Sequence, residues 1–343
     1  NNRNATILIN ERRSYYHGTD RLLSWLLSSS PYTEYNTRLE LLNQSPDDSA
    51  VLTARRKMLV HPQIQTLLKE VEHWPGNVLK NHKDASHCLH KLVFLADVGL
   101  RLGDPEIGFI VERILAHQSQ EGPFQVLVNI NPTYGGKGED QWSWMLCDAP
   151  QVLYILLKFG MSCNDERIRK AKDYLVSLVR ENGWPCSVAP DLGKFRGPGR
   201  KADPCLLATL QMLKVLALIP NADPQIVRTG IEMILGMWEK RREQKHYLFA
   251  MGTDFNKLKA PIIWFDILNT LDVLTQFPSA ISDPRLQEML AVVNQKSDES
   301  GQFTPESIWT AWKEWDFGQK KLPSPWLTFL MLRVMRRSNY LQN

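Results

Sequence analysis

The feature that most constrains this chain is a repeat. Four phrases, Asp104-Pro105-Glu106-Ile107, Asp165-Glu166-Arg167-Ile168, Asp223-Pro224-Gln225-Ile226 and Asp283-Pro284-Arg285-Leu286, recur at intervals of 61, 58 and 60 residues. Such self-similarity marks stacked supersecondary units, none of which buries its apolar face alone. Each phrase reads as a helix start. Asp accepts from the unpaired N–H groups of the first turn, and Pro at the first helical position brings a suitable φ and no N–H to satisfy. A second series of cap-like residues, Asp84-Ala85, Asp148-Ala149-Pro150, Asp203-Pro204, Ala260-Pro261 and Ser324-Pro325, stands before long apolar runs.

Each period therefore holds two helices. Runs such as Gln151 to Leu157 and Leu206 to Leu213 are apolar nearly all round, which buries them, whereas Arg167 to Leu175 carries a charged face and belongs at the surface. The first series is inner and the second outer, with inner helices predicted to begin near residues 84, 148, 203, 260 and 324. A weaker copy lies upstream, where His61-Pro62-Gln63-Ile64 opens a run ending at Trp74-Pro75-Gly76 after a partner helix within Asp47 to Leu59. The last inner helix lacks an outer partner behind it. A short helix at Arg21 to Leu27 is predicted to pack there, so residues 1–46 read as an arm with a ring-closing helix and 47–343 as the repeat domain. No strand-like alternation persists, so the class is all-α.

Composition narrows the function. With 343 residues, 43% hydrophobic and 23% charged, the chain is expected to fold around a substantial core. A net charge of +4 spread along the chain argues against a dedicated nucleic-acid partner. The most apolar stretch, Leu206 to Pro220, is interrupted by Thr209, Gln211 and Lys214, so a transmembrane span is not expected. The missing initiator Met suggests a trimmed chain. Five cysteines without a C-x-x-C pair argue against a disulfide framework or zinc knuckle, and the expected setting is cytoplasmic.

After the outer helices come Gly122-Pro123-Phe124, Gly183-Trp184 and Gly301-Gln302-Phe303, each a glycine able to end a helix followed by an aromatic. An inner helix, an Asp-Pro-like turn, an outer helix and a Gly-aromatic ending together resemble the α/α-toroid superfamily of terpenoid (squalene-type) cyclases and protein prenyltransferase β subunits. The resemblance spans about Asp84 to Arg336. It implies an α/α toroid of about five to six helical hairpins, with an isoprenoid diphosphate as the leading ligand.

Candidate chemistry lies in the long outer-to-inner loops, which would emerge together at the inner-helix N-termini, where unpaired N–H groups and the helix dipole favour anions. Arg196, Arg200, Lys201, Lys257 and Lys321 stand in these loops, either as solvated charges or as an anion site. Trp142, Trp144 and Trp264 are either core or the apolar wall of a cavity. An amphipathic anionic small molecule is the expected ligand.

In the resemblance, prenyltransferases hold zinc with an Asp-x-Cys at one inner helix and a His on the next. Asp203-Pro204-Cys205 matches the first half, but Ala260 to Asp266 has no His, so Asp203 also reads as a plain helix cap. No cofactor is assigned, zinc and magnesium being the metals to consider. Cyclases use an Asp-rich cluster; here Asp148 stands alone at a helix start as acid or cap. His87 and His90 read as half a metal site or as hydrogen-bonded packing. Two rival readings are an (α/α)6 carbohydrate-active enzyme built on Asp140, Asp254 and Asp316, and a non-catalytic helical scaffold.

Overall fold

The computed structural model describes residues 20–340 apart from 194, 196, 198 and 245–248. Helices dominate, and among the described residues none is long and apolar enough to cross a membrane. The helices are α1 (20–27), α2 (Pro31–Asn36), α3 (Ser49–Leu59), α4 (Pro62–Val71), α5 (Cys88–Val98), α6 (Ile107–Leu115), α7 (Ala149–Lys158), α8 (Glu166–Ser177), α9 (Leu206–Leu216), α10 (Pro224–Glu239), α11 (Ile267–Leu274), α12 (Pro278–Ile281), α13 (Pro284–Asn294) and α14 (Pro325–Arg337). They form two compact units. One comprises the described residues up to His61, with 258–260 and those from Leu290 onward; the other comprises Pro62–Lys257 and Pro261–Met289.

Within the second unit the repeat appears as a series of buried helices, α5, α7, α9 and α11, each packed on the next, with α8 and α10 as outer partners of α7 and α9. Every residue of α9 and α11 is buried, whereas α8 buries only the stripe Ile168, Ala171 and Leu175. That contrast follows from side-chain chemistry: a helix apolar on all sides gains by burial all round, and a charged one cannot desolvate its polar face.

The cap reading holds where the local sequence suffices. Asp165, Asp223 and Asp283 accept from the backbone N–H of Arg167, Gln225 and Arg285 at 2.9, 2.8 and 2.8 Å. Asp165 is also gripped by the Arg167 guanidinium, which holds its carboxyl at about 2. Asp165→Ala is expected to cost about 1 kcal/mol in urea unfolding and Asp165→Asn less, since amide and carboxylate both cap. An unchanged midpoint for the alanine variant would mean that α8 does not depend on its cap.

Asp104 differs. α6 starts at Ile107 after a left-handed Glu106 at φ 70°, and Asp104 accepts from Arg101 N within a turn. Three inner starts also shift. α5 begins at Cys88, capped by the His87 ring, while Asp84 accepts from Ser86. α9 begins at Leu206, after Asp203 has closed a turn on Arg200. α11 begins at Ile267, capped by Asp266. Asp203 is therefore not a helix cap. Asp148 and Ser324 do stand immediately before α7 and α14, as predicted.

The glycines also do other work than ending helices. Gly122, Gly183 and Gly301 have φ of 130°, 106° and 75° and turn small hairpins several residues past their outer helices. Each hairpin drives its aromatic, Phe124, Trp184 or Phe303, into the core. The backbone N–H groups of Trp184 and Phe303 donate to Thr209 Oγ1 and Thr328 Oγ1 at 3.1 and 2.9 Å, the same 25-residue reach in both repeats. The expectation of no strands is corrected by a short antiparallel pair, β1 (Val126–Val128) and β2 (Gln141–Ser143), in the long loop before α7. Three residues per strand leave no alternation to read.

In the first unit α14 packs against α2 and the π-helical turn Thr37–Leu41. Glu40 of that turn pairs with Arg333 and Arg337 at 3.3 and 2.9 Å. The predicted α1 is present, and a Cβ at Gly301 would stand 3.1 Å from its Leu22.

Candidate functional site

Three successive buried helices of the second unit start beside one another, and their leading segments bring thiols, an imidazole and a carboxylate together. Cys147 and Asp148 immediately precede α7, Cys205 precedes α9, and His82 sits in the loop before α5. Asp148 occupies the cap position of α7 without capping it. Its carboxylate is only 2% exposed and meets His82 Nδ1 at 2.9 Å. Cys147 Sγ lies 3.4 Å from His82 Nε2, 3.7 Å from Nδ1 and 3.9 Å from Asp148 Oδ2. One ligand atom from each of the three can be chosen so that all lie within 4.8 Å of one another. The His82 side chain is 26% exposed, which opens the cluster to solvent.

Two further histidines hold the loop that presents His82. His87 Nδ1 accepts from Leu89 N at 3.1 Å and Nε2 donates to the Asn77 carbonyl at 2.8 Å. His90 Nε2 donates to the His82 carbonyl at 2.9 Å, leaving its Nδ1 buried and, among the described residues, without a partner. Burial pushes His90 down to about 4, so it stays neutral. The packing alternative thus describes His87 and His90, and the histidine that reaches the cluster is His82.

A ladder of extended segments supplies the other thiols. Leu146 N donates to Ser187 O, Ala189 N to Trp144 O and Cys205 N to Trp184 O, at 2.9, 2.9 and 2.7 Å. Cys147, Cys186 and Cys205 therefore lie on neighbouring strands of backbone, and Gly197 N donates to Cys186 Sγ at 3.1 Å. Cys205 takes the position that Ser324 fills before α14, yet unlike that serine it makes no cap bond.

The electrostatics are those of a site short of positive charge. Burial, then the Asp148 charge and the Cys186 and Cys205 thiols, push the Cys147 thiol well up. Burial likewise pushes Cys205 up to about 12. For His82 burial opposes charge, but the charge and hydrogen bond of Asp148 outweigh it and raise the imidazole. A thiol, an imidazole and a carboxylate around one point form a ligand set for a soft or borderline divalent ion. Magnesium, which takes oxygen donors, fits it poorly.

Of the residues singled out in the sequence, Asp148 belongs to the cluster and Cys205 adjoins it. Asp203 turns instead to Arg200, accepting from its N at 2.8 Å and lying 3.4 Å from its Nε. Trp264 lies beneath Lys83, the neighbour of His82, with Nζ 4.7 Å from the ring centre. Trp142 stacks on His117 at 3.4 Å, and Trp144 is buried edge-on against Tyr174 of α8. Arg200 and Lys201 are exposed, and Lys257 pairs with Asp254 at 2.6 Å. Lys321 is exposed in the first unit, and Arg196 lies outside the described residues. Of the carboxylates in the carbohydrate reading, Asp140 holds Asn129, Asp254 holds Lys257, and Asp316 accepts from Tyr32, Ser324 and Trp326. Sequence reasoning missed His82, Cys147 and Cys186. The available signal was positional: His82 and Cys147 both stand just ahead of successive inner helices.

The chain matches no family model and no curated protein. Among solved structures, the crystal structure of a protein from Actinoplanes is similar at 15% identity with a TM-score of 0.44, covering 96% of this chain and 99% of that one.

Proposed function

We propose that this chain is a zinc-dependent, prenyltransferase-like protein acting on an amphipathic anionic small molecule, its hairpins continuing as an α/α toroid. The observation that carries the reading is the cluster of His82, Cys147 and Asp148 at the starts of buried helices. These are the donor types that the resemblance brings for zinc, found one hairpin earlier than the Asp203 and Cys205 pair. When bound, zinc would supply Lewis-acid polarisation of a thiol or water. The chain's own residues do the rest: Asp148 orients the His82 ring, and His87 and His90 hold the loop. Trp264 offers an apolar face beside that loop for an isoprenoid chain, and Arg200 and Lys201 offer charge for a diphosphate. Free thiols suit a reducing, cytoplasmic setting.

Calorimetric titration of the zinc-loaded chain with farnesyl diphosphate tests the ligand. Losing one charge-assisted hydrogen bond costs roughly 1.5 to 3 kcal/mol, so Arg200→Ala is expected to weaken binding about tenfold or more, with Arg169→Ala on α8 neutral. Equal affinities for both variants and wild type would refute the anion site.

A second reading rests on the bond order Cys147, His82, Asp148, which also suits an activated thiol nucleophile. Burial and the Asp148 charge push the Cys147 thiol up, whereas a nucleophilic thiol needs the opposite shift, so these surroundings by themselves do not activate it. Iodoacetamide separates the two: an activated thiolate in the zinc-free chain would be alkylated rapidly at neutral pH, a neutral buried thiol slowly.

A further inference from the structure

Three thiols of the second unit stand at the helix starts, and the register of the backbone ladder that carries them decides which can meet. Leu146 N donates to Ser187 O and Ala189 N to Trp144 O, both at 2.9 Å, which sets Met145 opposite Val188 in an antiparallel pair. Cys147 and Cys186 come next, each one residue past the bond between Leu146 and Ser187 and on the same side of it. Residues opposite each other in such a pair have Cα atoms about 4.5 to 5.5 Å apart, inside the roughly 4.4 to 6.8 Å that a disulfide spans. Cys205 is placed less well. Pro204 lies opposite Pro185 and Cys205 N bonds to Trp184 O, so Cys205 faces Trp184 and stands on the diagonal from Cys186, a spacing of about 7 to 8 Å. Behind burial and Asp148, Cys186 also does more than Cys205 to push the Cys147 thiol up. Cys147 and Cys186 are both reduced and both partly exposed.

Cys147 also belongs to the cluster, with Sγ 3.4 Å from His82 Nε2 and 3.9 Å from Asp148 Oδ2. One sulfur thus faces metal-binding side chains on one side and a second thiol on the other. We propose that Cys147 and Cys186 are a redox-sensitive pair, oxidised by a peroxide to a disulfide that takes the Cys147 sulfur from His82 and Asp148 and disarms the metal site. The pairing rests on the backbone register, and its effect on zinc rests on the metal reading of the cluster. Two thiols and one peroxide give one disulfide and two waters. The first sulfur attacks a peroxide oxygen, breaking the O–O bond and forming S–OH; the second displaces that hydroxyl, forming the S–S bond. Both thiol protons leave in the waters, the sulfurs are oxidised and the peroxide is reduced. A thiolate is the metal ligand, so a sulfur held in a disulfide no longer supplies one.

Lysines and arginines separate all five cysteines, so trypsin leaves each on its own peptide. The test is peptide mapping of the full chain, zinc-free and reduced, after treatment with hydrogen peroxide; without zinc this arm does not depend on the metal reading. The peptides carrying Cys147 and Cys186 are expected to appear joined, two hydrogens lighter than their sum, and to part again with dithiothreitol. The joined peptide should persist in Cys163→Ser and be absent from Cys186→Ser. In the zinc-loaded chain a chromophoric chelator should gain about one zinc per molecule as the disulfide forms, and dithiothreitol should restore binding. Peroxide that leaves Cys147 and Cys186 unjoined, that joins Cys186 to Cys205 instead, or that oxidises the pair without loosening bound zinc would overturn the proposal. A chain that forms this disulfide but takes up no zinc would support the pair and refute the metal reading alone.

Discussion

Expressed with zinc, the chain is expected to retain about one zinc per molecule, and His82→Ala or Cys147→Ser to weaken that binding more than roughly 100-fold. The magnitude follows from metal chemistry: losing a mere hydrogen-bond partner of a ligand typically costs about 10- to 100-fold, and in the proposed site these residues would be the ligands themselves. Elemental analysis and competition with a chromophoric chelator measure it. Cobalt substitution adds a fingerprint, a thiolate charge-transfer band that should vanish in Cys147→Ser and survive in Cys163→Ser. Cys186→Ser and Cys205→Ser then show whether the adjoining thiols complete the shell. A chain that leaves purification without zinc and takes up neither metal would remove the basis for the proposed chemistry.

Trp184→Ala is expected to be the most destabilising of the substitutions considered, by about 3 to 5 kcal/mol in urea unfolding. The ring is fully buried, its Nε1 donates to the Leu175 carbonyl at 2.9 Å, and its backbone bonds to Thr209 and Cys205. Truncation opens a cavity and strips that carbonyl of its indole donor, leaving it only the longer bond from Leu178 N, in the segment that sets Cys186 beside Cys205. Trp184→Phe fills most of the space and should cost less, the lost indole bond being worth about 1 kcal/mol. A loss under about 1 kcal/mol for the alanine variant would show that the site collapses freely and that the repeated Gly-aromatic hairpin is not a core anchor.

The sequence by itself determined what neighbours within a few residues decide. The caps Asp165, Asp223, Asp283 and Ser324 were legible because a cap bonds to a backbone N–H two or three residues ahead. The buried series α5, α7, α9 and α11 was legible because apolar residues on every side leave a helix nowhere else to go. The helices predicted to begin near Asp84, Asp203 and Ala260 start later, at Cys88, Leu206 and Ile267, and at Asp84 and Asp203 the apparent cap closes a turn instead. Only the tertiary structure decided the site. His82 meets Asp148 across 66 residues, and three cysteines on separate loops become neighbours through a backbone ladder. Nothing local to either end of those contacts encodes the other. They exist because parallel packing of buried helices brings their leading loops together, and the same packing gathers Asp97, Tyr154 and Lys214 from three helices that each look, read alone, like plain core.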